Sequence, residues 1–196
     1  MGNWHLKNHY MTKRNFIKQF FKDKKMVGAV SPSTKFLGEK MLENVNFDEA
    51  KLIVELGPGT GVFTDLILAR MRPDAKLLVF ELNDNFYTSL QARINDPRAQ
   101  LIHDSAEFVE KYLNEIEKDI KSDVVISSLP LMVFPESLRI AVIDASYNAL
   151  KKDGKYIQFQ YSLQSKKMLA SKYKSVSVKF TVKNFPPAFV YTCEKG

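Results

Sequence analysis

Apolar positions along the chain fall into two rhythms. Short unbroken runs predict buried strands over residues 53–56, 76–81, 99–102 and 123–127, and the segments between them space their apolar residues at helical intervals. Helices are expected over 12–25, 35–44, 60–70, 84–94, from near Ala106, over 135–150 and over 164–174. Later runs at 156–161, 175–182 and 188–192 alternate as strands, the last two around Pro186-Pro187 as a closing β pair. Lys151-Lys152-Asp153-Gly154 reads as a helix stop and turn, and Ser33 or Thr34 as the cap of the helix after the turn at 27–34. The order βαβαβαβ with a terminal β pair is a doubly wound α/β domain, mostly parallel with an antiparallel last strand. Residues 1–48 form an N-terminal helical extension and lid, and residues 49–196 the core.

Composition narrows the class. A chain of 196 residues, 45% of them hydrophobic, fits one domain with a sizeable core. Its single cysteine, Cys193, excludes an internal disulfide framework and reads as a small strand residue in a reducing compartment. The three histidines lack ligand or triad spacing, so no metal is assigned. The polar, basic start has no apolar signal region and no window is long and apolar enough to span a bilayer, so a soluble, cytoplasmic protein is expected. Leu6 stands where a myristoylation signal needs Ser or Thr.

Charge changes the picture of partners. The net charge of +7 divides into +6 over residues 1–25, −7 over 26–150 and +8 over 151–196. Basic ends around an acidic middle fit a polyanion, either nucleic acid or an anionic lipid surface, although lysines kept for solubility remain an alternative. In the helix at 12–25, Phe16, Ile17, Phe20 and Phe21 form one stripe among Lys13, Arg14 and Lys18. Such a helix can lie in a membrane interface, its rings in the headgroup boundary, or simply cover the domain.

The chemistry centres on Glu55-Leu56-Gly57-Pro58-Gly59-Thr60-Gly61, where the first strand breaks into a glycine loop and restarts as a helix. Glycine admits positive φ and close ligand approach, and the free N–H groups of a new helix face the turn. A dinucleotide fingerprint requires G-x-G-x-x-G, but Val62 occupies the third glycine position, which weakens a nicotinamide cofactor. Glu81, followed by Leu82, ends the second strand about 20 residues beyond the loop, where a carboxylate can accept both hydroxyls of a ribose. Asp104, with Ser105 and Ala106 after it, can accept an adenine amine or cap the following helix.

The string E-L-G-P-G-T-G resembles the first motif of class I S-adenosylmethionine-dependent methyltransferases. Together with V-G-A-V-S-P-S-T before the first strand, S-L-P-L after the fourth and Q-F-Q-Y-S after Gly154, it resembles the bacterial phospholipid N-methyltransferases, which methylate phosphatidylethanolamine. The resemblance implies a Rossmann-like methyltransferase sheet. It also implies S-adenosylmethionine held by Gly57, Pro58, Gly59, Thr60 and Gly61 at its methionine end, with Glu55 orienting the loop or, through water, the methionine ammonium. Tyr161 and the backbone carbonyls of Ser128 and Leu129 are then the groups that position the substrate amine, Tyr161 having ordinary strand packing as its alternative. A peripheral place at the inner membrane face follows. The related rRNA adenine dimethylases carry Asn-(Leu/Ile)-Pro-(Tyr/Phe) where this chain has Ser128-Leu129-Pro130-Leu131, without the amide or the stacking ring. RNA or a small amine is the alternative acceptor.

Overall fold

The computed structural model describes residues 32–182, 184 and 186–196. Helix α1 (Pro32–Leu42) precedes strand β1 (Leu52–Leu56), α2 (Val62–Leu68), β2 (Lys76–Phe80), α3 (Asp84–Arg93) and β3 (Ala99–Ile102). A short turn of helix leads into α4 (Val109–Ile116), then β4 (Ser122–Ser127), α5 (Glu136–Ala149) and β5 (Leu150–Gln160). Helix α6 (Lys166–Ala170), β6 (Ser175–Thr181) and β7 (Ala188–Glu194) close the chain. The seven strands lie in one sheet in the order β3-β2-β1-β4-β5-β7-β6. Every pair from β3 to β5 is parallel, whereas β7 runs antiparallel to both β5 and β6.

All five residues of β1 are buried, as expected of a central parallel strand covered on both faces. Alternate side chains feed two apolar clusters. Val54, Leu56, Phe80, Val125 and Tyr156 pack toward α4 and α5, while Ile53, Val79, Ile126 and Ile157 pack toward α1 and α2 with Leu37, Met41, Phe63 and Ile67. The chain turns to β2 on one side of β1 and to β4 on the other, which opens a crevice at the carboxyl ends of β1 and β4.

Several boundaries depart from expectation. Helix α1 already includes Pro32, so Ser33 and Thr34 lie within it rather than capping it; a proline suits a first turn because its φ is preset and its missing N–H costs nothing there. Residues 151–154 are not a turn between elements: α5 ends at Ala149 and β5 starts at Leu150. The register slips between Leu150, opposite Ser122, and Lys155, opposite Val124, and the Asp-Gly pair forms this irregularity. Asp153 N–H donates to the Lys195 carbonyl (3.1 Å) and Lys195 N–H to that of Gly154 (3.0 Å), so backbone pairing continues through the bulge. Helix α6 is shorter than its basic pattern, β7 extends to Glu194, and Tyr161 lies just past β5. Cys193 is buried on β7. The stripe at Phe16, Ile17, Phe20 and Phe21 lies outside the described residues.

Candidate active site

The loop after β1 is held in a shape that requires its glycines. Gly57, Gly59 and Gly61 all have positive φ, 69°, 57° and 80°. Their surroundings differ. A Cβ at Gly57 would stand 2.6 Å from Leu129 Cδ2, and one at Gly61 would strike Arg93 and Leu90, whereas at Gly59 nothing lies within 4 Å. Gly57 and Gly61 therefore serve close packing, while Gly59 leaves open space beside the helix entrance. Arg93, on α3, ties this loop down: it pairs with Asp65 of α2 (2.5 Å) and donates from Nη2 to the Thr60 carbonyl (3.1 Å). Pro58 is buried and Thr60 exposed.

Glu81, buried at the end of β2, accepts the Gly59 N–H on Oε2 (3.0 Å) and the Asn83 N–H on Oε1 (2.7 Å). Each oxygen keeps a further lone pair, which is what a vicinal diol needs. Burial raises the Glu81 pKa against the lowering effect of these N–H donors. Asp104 accepts the Ser105 N–H (2.8 Å) and the Tyr112 hydroxyl (2.9 Å); burial, followed by Asp104 itself, pushes that phenol up to about 12. No side-chain cap bond forms at the short helix beginning with Ala106, so Asp104 does not cap it.

Glu55 faces the other side of the sheet. It is fully buried, takes the Thr64 hydroxyl on Oε2 (2.7 Å), and has no partner on Oε1. Desolvation, partly opposed by Thr64, pushes its pKa to about 8. An unpartnered buried carboxylate oxygen next to a glycine loop suits a cationic or N–H-bearing ligand group.

After β4, Ser128 N–H donates to the Leu56 carbonyl (2.9 Å), which pins the Ser-Leu-Pro-Leu turn beside Gly57. The Leu129 carbonyl accepts two side-chain amides, Gln158 Nε2 (3.0 Å) and Gln160 Nε2 (3.2 Å), and buried Tyr156 donates to Gln158 Oε1 (2.6 Å). Both lone pairs of that carbonyl are thus engaged, whereas Ser128 Oγ is buried with no partner. Tyr161 is exposed beyond β5, its ring edge-on to Phe159 with centroids 5.6 Å apart.

A cleft brings Gly57, Glu81, Leu82, Asp104, Ser105, Ala106 and Leu129 together, all expected from sequence. Phe80, Phe134 and Val142 complete its walls. These three read as ordinary core positions in sequence, and only Phe80, adjoining Glu81, carried a local signal. Glu55, Pro58, Gly59, Thr60, Gly61, Ser128 and Tyr161 do not line this cleft. The open approach at Gly59, the spare lone pairs of Glu81 and the orphaned Glu55 Oε1 fit S-adenosylmethionine, whose ribose, adenine and ammonium need these kinds of acceptor.

Comparison with known proteins gives the same reading. The family described as ribosomal RNA adenine dimethylase matches residues 10–133, and the spermine/spermidine synthase domain matches residues 74–194. An ornithine lipid N-methyltransferase of Singulisphaera acidiphila is 27% identical over 91% of this chain and 93% of its own. Ribosomal RNA small subunit methyltransferase A of Clostridium perfringens is 36% identical over 43% of this chain and 28% of its own. Among solved structures, magnesium protoporphyrin IX methyltransferase of Synechocystis, with bound S-adenosylmethionine, superposes with a TM-score of 0.69 over 94% of this chain and 97% of that one; at 10% identity the likeness concerns the fold. The chain belongs to the ribosomal RNA adenine dimethylase family, within the class I S-adenosylmethionine-dependent methyltransferases.

Proposed function

We propose that the chain transfers methyl groups to the primary amine of a membrane lipid headgroup, phosphatidylethanolamine in the first instance. The observation that carries this reading is the turn after β4. Base recognition in the resembling rRNA enzymes places an amide and an aromatic ring there, and this chain has Ser128 and Leu131, the latter fully buried. Losing a stacking ring forfeits about 1–3 kcal/mol of base binding. Support also comes from coverage: the lipid N-methyltransferase matches along both chains, the small subunit methyltransferase over less than half of this one.

When bound, S-adenosylmethionine supplies an electrophilic methyl group on a sulfonium. The protein's part is alignment and exclusion of water. Glu81 would accept the ribose hydroxyls on its spare lone pairs and Asp104 the adenine amine, and Phe80, Leu82, Ala106 and Phe134, which line the cleft, would wall the base from solvent. Glu55, buried beside the loop and held by Thr64, would orient the loop or the methionine ammonium through water. The incoming lipid ammonium gives a proton to water, and its nitrogen lone pair points along the line of transfer. Ser128 Oγ accepts one amine N–H and Tyr161 shields the approach. The Leu129 carbonyl, held by Gln158 and Gln160, sets the position of the turn.

The family match over residues 10–133 favours a second reading, N6-methylation of adenine in rRNA. Incubation with labelled S-adenosylmethionine and either phosphatidylethanolamine vesicles or rRNA separates them. Label is expected in lipid; label in RNA alone overturns the proposal.

A further inference from the structure

Large apolar side chains are exposed where β5 and β6 end. Tyr161 is 55% exposed, Leu163 49%, Phe180 54% and Val182 70%. Strands β5 and β6 both run antiparallel to β7, and β5 runs parallel to β4, so these ends share the sheet edge that carries the glycine loop and the Ser-Leu-Pro-Leu turn. The edge is held together laterally. Phe180 lies against Phe189 (centroids 4.9 Å), Phe189 is opposite Gln160 in register, and Tyr191 donates its hydroxyl to the Ser162 carbonyl (2.9 Å).

We propose that this rim, Tyr161, Leu163, Phe180 and Val182 with Lys166 and Lys167, is a docking surface for an anionic lipid bilayer. The inference rests on the lipid reading above and says how a headgroup reaches the crevice. Charge complementarity selects the partner: residues 151–196 carry ten Lys/Arg against two acids, and Lys166 and Lys167 stand exposed three and four positions beyond Leu163. Lys172, Lys174 and Lys179 of the same stretch are paired with Asp144, Glu194 and Glu43, so the exposed lysines of α6 sit at the rim end of this basic region. The chemistry of the tips favours lipid over RNA. Leu163 and Val182 offer no π-face on which a base can stack, whereas aliphatic and aromatic tips alike enter the headgroup boundary. A bilayer seated there places lipid amines at the carboxyl ends of β4 and β5, beside Ser128.

The test uses the full chain, with vesicles of phosphatidylethanolamine and phosphatidylglycerol, vesicles of phosphatidylcholine, and monomeric short-chain phosphatidylethanolamine. L163E/V182E, altered only at exposed positions, is expected to sediment with anionic vesicles about tenfold or more weakly and to lose vesicle methylation in step. Its affinity for S-adenosylmethionine and its turnover of the monomeric lipid stay at wild-type values. Trp4 is the sole tryptophan, so W4F/V182W reports on the rim directly: its emission should shift to the blue on adding anionic vesicles and stay unchanged with phosphatidylcholine. Vesicle sedimentation of L163E/V182E equal to wild type overturns the proposal. So does emission that is already blue without vesicles, because the rim is then covered by the chain's own N-terminal segment or a second copy. Loss of RNA retention with vesicle binding intact assigns the edge to RNA and also overturns it. If the wild type methylates monomeric lipid while the rim variant sediments normally, the surface is wrong and the substrate reading stands. If the rim variant loses vesicle binding but the wild type labels no lipid, the substrate reading fails alone.

Discussion

Glu55 and Glu81 stand near the carboxyl ends of neighbouring strands, and only Glu81 lines the cleft. Glu81 is held by two backbone N–H groups, whereas Glu55 has one hydroxyl partner and an orphaned oxygen. Burial raises the Glu55 pKa from 4.5 to about 8, so between those values the folded chain holds a proton that the unfolded chain has released. This contribution to stability is fully present below the unfolded value and is lost as pH rises through the folded one. E55Q has no such proton. Its melting temperature is expected to gain on wild type steadily as pH rises from about 5 to about 8, then to hold a constant lead. A pH-independent difference between the two would contradict this. The glycines separate in the same way. G59A introduces only a left-handed alanine, at about 1–2 kcal/mol, yet obstructs the open approach and should weaken S-adenosylmethionine binding by about tenfold or more in calorimetry. G57A adds the 2.6 Å clash with Leu129 to its own positive φ and should cost more in urea unfolding than G59A does.

At the scale of elements, β5 organises the acceptor side. Its inward residues Tyr156, Gln158 and Gln160 form a chain of hydrogen bonds that ends on the Leu129 carbonyl. Q158L removes one donor from that carbonyl and the Oε1 acceptor of the buried Tyr156 hydroxyl, at a cost of about 1–3 kcal/mol in urea unfolding. Q160L leaves Gln158 in place and should cost less. Sequence patterning located β1 to β4 and their intervening helices within a few residues, because continuous apolar runs and helical spacing are local properties. It failed at residues 151–154, where Asp and Gly normally stop a chain. There the pairing of Asp153 and Gly154 with Lys195, more than forty residues later, overrides the local preference and keeps the segment in the sheet. Gly154 also meets the Asp123 carbonyl at a hypothetical Cβ distance of 3.1 Å, a close approach that no local pattern announces.

Over the whole molecule, an acidic middle carries the cofactor crevice and two basic ends flank it. Among the described residues no helix is long and apolar enough to cross a membrane. On the lipid reading proposed above, the sequence stripe at residues 12–25 is a second candidate for membrane contact. F16E/F20E in the full chain should reduce sedimentation with anionic vesicles while leaving cofactor affinity unchanged, and added salt should weaken vesicle binding of the wild type. Unchanged sedimentation of F16E/F20E would confine membrane contact to the sheet edge.

The amino-acid sequence by itself determined the doubly wound core, the glycine loop and the carboxylates of Glu81 and Asp104, since each depends on a strand, a turn and a helix that follow one another directly. The acceptor side was decided by tertiary structure alone. The two amides of Gln158 and Gln160 on the Leu129 carbonyl and the packing of Arg93 and Leu90 against Gly61 come from distant parts of the chain, and the exposed tips after β5 and β6 join one edge only because β7 lies between their strands. Contacts between residues tens of positions apart leave no periodicity in the chain that carries them, because their spacing is set by the sheet order and not by the backbone path.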